Sequence, residues 1–165
     1  MQTIGVTGHQ CFEGISDALW LRQQLQTKVK ELKDIELGYS SLAIGADMLF
    51  AEVLLAMKIR LVAVIPCMDY DMTFGENDLI QYQFLLNNAG EKIILNFSQP
   101  DEEAFFEAGK YVARHSETLF VIWDGQPAKG LGGTGDVFNY AMGQGKSIIH
   151  INPWTEETIT YNYKQ

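Results

Sequence analysis

Apolar strand-like segments alternate with helical segments along the sequence, and this alternation limits the fold more than any other feature. The run from Leu61 to Ile65 is apolar without a break, which is typical of a parallel strand covered on both faces. Regular alternation predicts parallel strands, right-handed crossovers and helices on both sides of one sheet. We therefore expect an α/β fold, a three-layer, doubly wound, Rossmann-like architecture with a mainly parallel sheet of about six strands.

The predicted elements follow from the apolar patterns. Strands are expected at 3–6, 38–44, 61–65, 92–95, 119–123 and 147–151, and helices at 15–32, 47–58, 78–88, 101–115 and 134–143. Pro66 should end the third strand, and no element is predicted after Pro153. A chain of 165 residues suits one domain, so a single domain is predicted over 1–165.

A glycine-rich stretch follows the fifth predicted strand. Four glycines fall among residues 130–135, and Thr134 is predicted to open a helix. A strand, a glycine-rich turn and a helix start together favour anion binding, because backbone N–H groups and the positive end of the helix dipole point the same way. The letters also match the G-x-G-x-x-G dinucleotide fingerprint, but that fingerprint belongs to the first strand–helix turn. The stretch therefore predicts a phosphate-binding turn, in which Lys129 is either a phosphate contact or a solvated loop lysine.

Small and polar residues also follow the first three strands, where open α/β sheets bind ligands. Together with the glycine-rich turn they give the predicted ligand-binding set: Thr7, Gly8, His9, Gly45, Ala46, Asp47, Pro66, Asp124, Gly132, Gly133, Thr134, Gly135 and Asp136. His9 could donate to a ligand oxygen, take part in proton transfer or only satisfy the backbone of its turn. The aromatic rings of Tyr70 and Phe74 could stack on a base or pack over the core.

Three acids are expected at this edge of the sheet, namely Asp47, Asp124 and Asp136. They could accept hydrogen bonds from ribose hydroxyls or a base amino group, or hold a divalent cation such as Mg²⁺. Asp47 and Asp136 could equally cap helices. If the protein is an enzyme, Asp136 or Asp124 is the candidate acid–base residue. No cofactor is certain from the sequence, and no site built only for a metal is predicted.

The charge balance bears on partners. Twelve basic and twenty-one acidic residues give a net charge of −9, and the basic residues form no patch. This balance predicts no nucleic-acid partner and no membrane surface. With two cysteines and no apolar run long enough to span a bilayer, the chain is expected to be cytoplasmic.

Four motifs in order resemble a known superfamily. They are GVTGH, GADMLFAEVLLA, VIPC and ARHSETLFVIWDG followed by GGTGD. Together they resemble the Rossmann-like superfamily of the DNA-uptake protein DprA, the LOG (lysine decarboxylase-like) phosphoribohydrolases and the YpsA-type proteins, from about Gly5 to Ile151. The resemblance implies a nucleotide or nucleotide-derived ligand at the glycine-rich edge, and homo-oligomers.

The LOG pattern also implies where catalytic residues would stand. In LOG enzymes a PGGxGTxxE turn supplies a catalytic glutamate, and the preceding helix supplies an arginine. The matching positions here hold Val137 and Ala108. Three functions stay open: binding of a nucleotide-derived small molecule by a sensor or carrier, cleavage of an N-glycosidic bond of a nucleoside monophosphate, and an oligomeric scaffold with a vestigial cleft.

Overall fold

Seven strands form one sheet in the computed structural model, which describes residues 1–163. In space the strands run in the order β4-β3-β2-β1-β5-β6-β7. Their bounds are β1 Gln2–Gly8, β2 Ile35–Ser40, β3 Arg60–Cys67, β4 Glu91–Phe97, β5 Thr118–Ile122, β6 Ser147–Asn152 and β7 Glu157–Tyr161. The first six strands pair in parallel, and β7 pairs antiparallel to β6.

Five α-helices cover the two faces of this sheet. They are α1 Ala18–Glu31, α2 Ala46–Ala56, α3 Glu76–Asn88, α4 Glu102–His115 and α5 Thr134–Gly143, with a short 3₁₀ helix at Tyr70–Thr73. One apolar core joins α1, α2 and α3 to the sheet, and a second joins α4 and α5 to its other face. Along β5, Phe120 and Ile122 enter the first core, whereas Leu119 and Val121 enter the second. The three-layer, doubly wound prediction is therefore confirmed.

The sheet changes its winding direction at β1. The chain moves outward from β1 through β2, β3 and β4, then returns to place β5 on the other side of β1. The carboxyl ends of the two strands lie side by side, since Gly8 pairs with Ile122. In open α/β sheets, ligands bind in the crevice outside such a switch point.

The seventh strand was not expected from the sequence. It is an edge strand, and none of its residues is fully buried. Its sequence, with Ile159 between Thr158 and Thr160, therefore lacks the apolar run by which the other strands were predicted. The predicted single domain over 1–165 stays a prediction, and its last two residues, Lys164 and Gln165, lie outside the described residues. No helix among residues 1–163 is both long enough and apolar enough to cross a membrane.

The predicted ends of the second and third strands are wrong. The second strand stops at Ser40 because the Ser40 hydroxyl accepts a hydrogen bond from the Leu42 N–H at 3.1 Å and donates one to the Asp47 carbonyl at 3.0 Å. Such side-chain bonds offer the backbone an alternative to the strand ladder. The third strand continues through Pro66 to Cys67, with a register shift between Ile65 and Cys67. Proline lacks the N–H that a regular ladder needs, and the irregularity accommodates it.

Candidate functional site

A cleft lies over the carboxyl ends of the central strands. Its cavity volume is about 690 Å³, and the loops after β1, β2, β3 and β5 all contribute to its walls, as does the start of α4. Ligand pockets typically have volumes of about 300 to 1,000 Å³. Ten of the thirteen predicted ligand-binding residues line the cleft: Thr7, Gly8, His9, Asp47, Pro66, Asp124, Gly132, Gly133, Thr134 and Gly135.

The remaining three predicted residues support the cleft from behind or beside it. Ala46 is fully buried, and Gly45 lines a neighbouring cavity between α1 and α2. Asp136 belongs to the first turn of α5 and does not line the cleft. The structure therefore brings most, but not all, of the predicted set together.

Three of the five α-helices start at the cleft without a side-chain cap. The N-cap residues of α2, α3 and α5 are Gly45, Gly75 and Gly133, whereas Asp17 and Asp101 cap α1 and α4. The first N–H groups of a helix have no partner within the helix. Among the described residues, no hydrogen bond engages the N–H of Thr134 or Gly135. These donors, with the dipole of α5, make the start of α5 suited to an anion.

The glycine run also has a packing role. Gly132 has φ +81°, and a Cβ atom there would lie 2.6 Å from Cβ of Phe106 on α4. A Cβ atom on Gly133 would lie 2.7 Å from Cβ of Ala128. These glycines let the loop fold on itself and against α4. The run thus shapes the cleft wall, in addition to leaving the start of α5 open.

The carboxylate of Asp136 holds this loop. It accepts a hydrogen bond from the Gly132 N–H at 2.9 Å. An acid in the first turn that reaches back to a preceding N–H satisfies one donor at the helix start. The structure therefore gives Asp136 a stabilising contact, and its predicted acid–base role has no support from its position.

Replacing Asp136 by Ala should lower the free energy of unfolding by about 1 to 2 kcal/mol, because the Gly132 N–H loses its acceptor. Asp136→Asn keeps an acceptor oxygen and should cost less than half as much. Urea denaturation of both variants measures the difference. Equal losses would show that the hydrogen bond is not what Asp136 contributes.

Asp47 is a buried carboxylate in the wall of the cleft. It is 8% exposed, and its Oδ2 accepts a long hydrogen bond from the Ala43 N–H at 3.3 Å. Burial raises the pKa of Asp47 from 3.8 to about 7, against a smaller lowering by that N–H. The prediction that Asp47 caps α2 is wrong, because Gly45 is the N-cap and Asp47 bonds back to the preceding turn.

A histidine and an aspartate meet across the switch point. His9 follows β1, Asp124 follows β5, and Nε2 of His9 lies 3.1 Å from Oδ1 of Asp124. Partial burial raises the pKa of Asp124. The hydrogen bond from the Gln126 N–H and the nearby His9 ring lower it by more, so the pKa of Asp124 lies below its ordinary value. The carboxylate is therefore ionised at neutral pH.

Aromatic rings form the wall that follows β3. Tyr70 is buried and contacts Phe74 edge-on with ring centroids 5.1 Å apart, and Phe74 stacks on Tyr82 at 4.5 Å. The pKa of Tyr70 is raised well above 10 by burial and then by the nearby Asp47. Phe105 of α4 contacts this cluster and is 36% exposed. The rings pack mainly on each other and leave Phe105 as an apolar surface of the cleft.

The charges around the cleft are mostly negative. Asp47, Asp78, Glu102 and Asp124 line it, and Lys129 is its one lysine or arginine among the described residues. No group of three or more His, Cys, Asp or Glu side chains within residues 1–163 is arranged to hold a metal ion. A Mg²⁺ ion therefore remains a prediction and has no set of protein ligands in this part of the chain.

Sequence reasoning missed several contributors to the site, among them Trp154 and Glu102. Trp154 lies edge-on to His9 at a centroid distance of 5.4 Å and donates its indole N–H to the Glu13 carbonyl. Glu102 lines the cleft from the start of α4. Both follow the carboxyl end of a parallel strand, β6 and β4 respectively, so the rule that located the other residues could have indicated them.

Comparison with known proteins identifies the fold. No protein-family model matches the chain, and no curated protein matches it in sequence. Two solved DprA structures do match, from Streptococcus pneumoniae (TM-score 0.63, 17% identity) and Helicobacter pylori (TM-score 0.65, 17% identity). Each alignment covers 90% of this chain, which spans 50% and 64% of the two DprA chains. The structural-genomics target TM1055 matches with a TM-score of 0.55 at 15% identity, covering 90% of this chain and 72% of that one.

The chain has the Rossmann-like fold of these DprA structures. The likeness that the four sequence motifs indicated is confirmed at the level of fold.

The expectation that no nucleic acid is a partner is wrong. The H. pylori DprA, which shares this fold, is described by its single-stranded DNA binding mode. Net charge is summed over the whole surface, whereas a single strand meets only a local surface, so the −9 charge does not decide this question.

Proposed function

We propose that the cleft binds a phosphate-bearing nucleotide unit, with the phosphate at the start of α5, and that the protein acts as a sensor or carrier of this ligand. The observation that carries the proposal is the position of the uncapped α5 start within a cleft of about 690 Å³ at the switch point. Phosphate groups bind at such helix starts through backbone N–H groups and the helix dipole.

The acidic and aromatic parts of the cleft suit the rest of a nucleotide. Asp47 and Asp124 offer hydrogen-bond acceptors for sugar hydroxyls or base amino groups, and Phe105 offers an apolar face. The open N–H groups at the start of α5 and the nearby Lys129 are the part of the cleft suited to the ligand's own negative charge. This arrangement favours one orientation of the ligand over its reverse.

The hydrolase alternative draws less support. At the positions where the LOG resemblance implies an arginine and a glutamate, Ala108 is 1% exposed and Val137 is 2% exposed, and both belong to the apolar core under α4 and α5. A hydrolase would have to draw its acid–base residue from the other titratable groups of the cleft, such as Asp47 or Asp124. Release of free base from a nucleoside monophosphate would support that alternative.

A single-stranded DNA segment is the second candidate ligand. The single-stranded DNA binding of the H. pylori DprA favours it. A free nucleotide and one residue of a strand each carry a phosphate, a sugar and a base, so binding experiments with both are needed. Homo-oligomers, which the resemblance implies, remain part of the proposal and can be measured by sedimentation in the same samples.

Thermal melting with and without ligand tests the proposal. A nucleoside 5′-monophosphate at a hundred times its dissociation constant should stabilise the protein by about 2.7 kcal/mol. The four common monophosphates are compared with a short single-stranded oligonucleotide. A shift only with the oligonucleotide favours the DNA-binding alternative, and no shift with any of them contradicts both.

A charge reversal locates the phosphate. Lys129→Glu, at the cleft, should weaken binding of the monophosphate about tenfold, since it replaces an attraction by a repulsion. Lys92→Glu makes the same charge change on β4 outside the cleft and should leave affinity nearly unchanged. Equal effects of the two variants would point to a general charge effect.

A further inference from the structure

His9 has one buried ring nitrogen beside a carboxylate and one accessible ring nitrogen. Within the described part of the chain, Nε2 of His9 is the one side-chain nitrogen or oxygen that is buried without a well-aligned hydrogen bond. Its near neighbour is Oδ1 of Asp124 at 3.1 Å. No hydrogen bond among residues 1–163 engages Nδ1, which is not buried, and His9 lines the cleft.

Asp124 favours one protonation state of the neutral ring. An ionised carboxylate only accepts hydrogen bonds, so it stabilises a proton on Nε2 and leaves a lone pair on Nδ1. Asp124 is itself held in place, because its Oδ1 accepts the Gln126 N–H at 2.9 Å, and the Trp123 indole N–H donates to the Gln126 carbonyl at 2.9 Å. The edge of Trp154 against His9 limits the rotation of the ring.

The position of His9 between the two ends of the cleft indicates what it meets. The start of α5 follows β5 on one side of β1, and the aromatic wall follows β3 on the other side. Two strand spacings separate β1 from β3, roughly 10 Å. A nucleotide with its phosphate at α5 and its base towards Phe105 therefore brings its sugar past His9.

We propose that Nδ1 of His9 accepts a hydrogen bond from a ribose hydroxyl of the bound nucleotide, with Asp124 as the positioning residue that keeps the proton on Nε2. This rests on the proposed function of the cleft. It makes His9 a specificity-determining residue that recognises a hydroxyl donor on the sugar. This contact serves binding alone and does not require the protein to be an enzyme.

Binding of 5′-AMP and its 2′-deoxy and 3′-deoxy analogues tests the contact. The unaltered protein should bind one of the deoxy analogues about fivefold more weakly than AMP, the loss expected for one neutral hydrogen bond. His9→Asn places an amide near the position of Nδ1 and should keep part of this discrimination. His9→Gln places its amide near the position of Nε2 and should bind all three compounds alike.

A spectroscopic measurement tests the positioning role without any ligand. Nitrogen-15 shifts of the His9 ring, measured above the pH at which the ring is protonated, should show the proton on Nε2. In Asp124→Ala, which has no side-chain acceptor for a proton on Nε2, the two neutral forms should become mixed. A proton on Nδ1 in the unaltered protein, or no change in Asp124→Ala, would overturn the role of Asp124.

The outcomes separate this inference from the proposed function. If AMP and both analogues bind with equal affinity, the ribose contact is wrong while the nucleotide cleft stands. If neither these three nor any other common nucleoside 5′-monophosphate binds at millimolar concentration, both are wrong. Discrimination that survives in His9→Gln would assign the hydroxyl contact to another residue.

Discussion

Replacing Asp47 by Asn is expected to raise the free energy of unfolding by about 2 to 4 kcal/mol near pH 8 and to change it little near pH 4. The carboxylate is 8% exposed, and burial raises its pKa from 3.8 to about 7. The folded state therefore binds a proton more tightly than the unfolded state. The stability that comes with this proton is fully present below pH 3.8 and is lost as the pH rises to about 7.

Asparagine has the same shape and keeps an acceptor for the Ala43 N–H, but it cannot ionise. Its advantage should therefore appear only where Asp47 is charged. Chemical denaturation at several pH values measures the effect. Asp78→Asn is the matched control, because Asp78 lines the same cleft and is exposed, and its substitution should change stability by about 0.5 kcal/mol or less. A gain of equal size at both pH values would contradict this account of Asp47.

A costly buried charge at a cleft is typical of a functional position, since binding sites often give up stability for activity. Asp47→Asn should therefore be a stabilised variant whose ligand affinity is worth measuring separately.

Replacing Gly45 by Ala should lower the free energy of unfolding by about 3 kcal/mol or more. Gly45 has φ +85° and ψ −121°, a conformation that side chains with a Cβ rarely adopt. An added Cβ would lie 2.5 Å from the carbonyl oxygen of His9 and 2.7 Å from Cα of Gln10. That carbonyl accepts the Ala46 N–H at 3.0 Å, so the strain falls on the loop that carries His9.

Gly75→Ala provides the control, because Gly75 is also a helix N-cap. Its φ is −70°, and an added Cβ would meet no atom within 4 Å. The same chemical change there should cost about 1 kcal/mol or less, since the lower entropy of the unfolded chain offsets the weaker cap. Urea denaturation of both variants gives the comparison. Similar losses at the two positions would show that backbone strain at Gly45 is not the cause.

The sequence patterns predicted the layers of the fold because they depend on local periodicity. The uninterrupted apolar run of β3 and the start of α5 at Thr134 both follow from residues close in sequence. β7 lacks such a pattern, because an edge strand buries few side chains. The end of β2 depends on two contacts of the Ser40 hydroxyl, and residue patterns do not show these.

The sequence predicted where the candidate site lies, but not which of its residues touch each other. Strand ends in a parallel sheet share one edge, and this rule placed His9 and Asp124 near each other. Their 3.1 Å contact depends on which strands are neighbours, and the order in which β5 joins β1 is not a local property. From the sequence, the glycines of the α5 loop predicted only a ligand-binding role. In the structure, Gly132 and Gly133 also allow the loop to pack against α4 and Ala128, and these packing contacts are not visible in a local pattern.

The division of the interior into two apolar cores, one on each face of the sheet, has a consequence for cooperativity. The loop after β1 leads into α1 on one face, and the loop after β5 leads into α5 on the other. A molecule held between His9 and the start of α5 would touch both layers at once. It would therefore couple opening motions that the sheet otherwise keeps apart, and amide hydrogen exchange should slow on both faces when the cleft is filled.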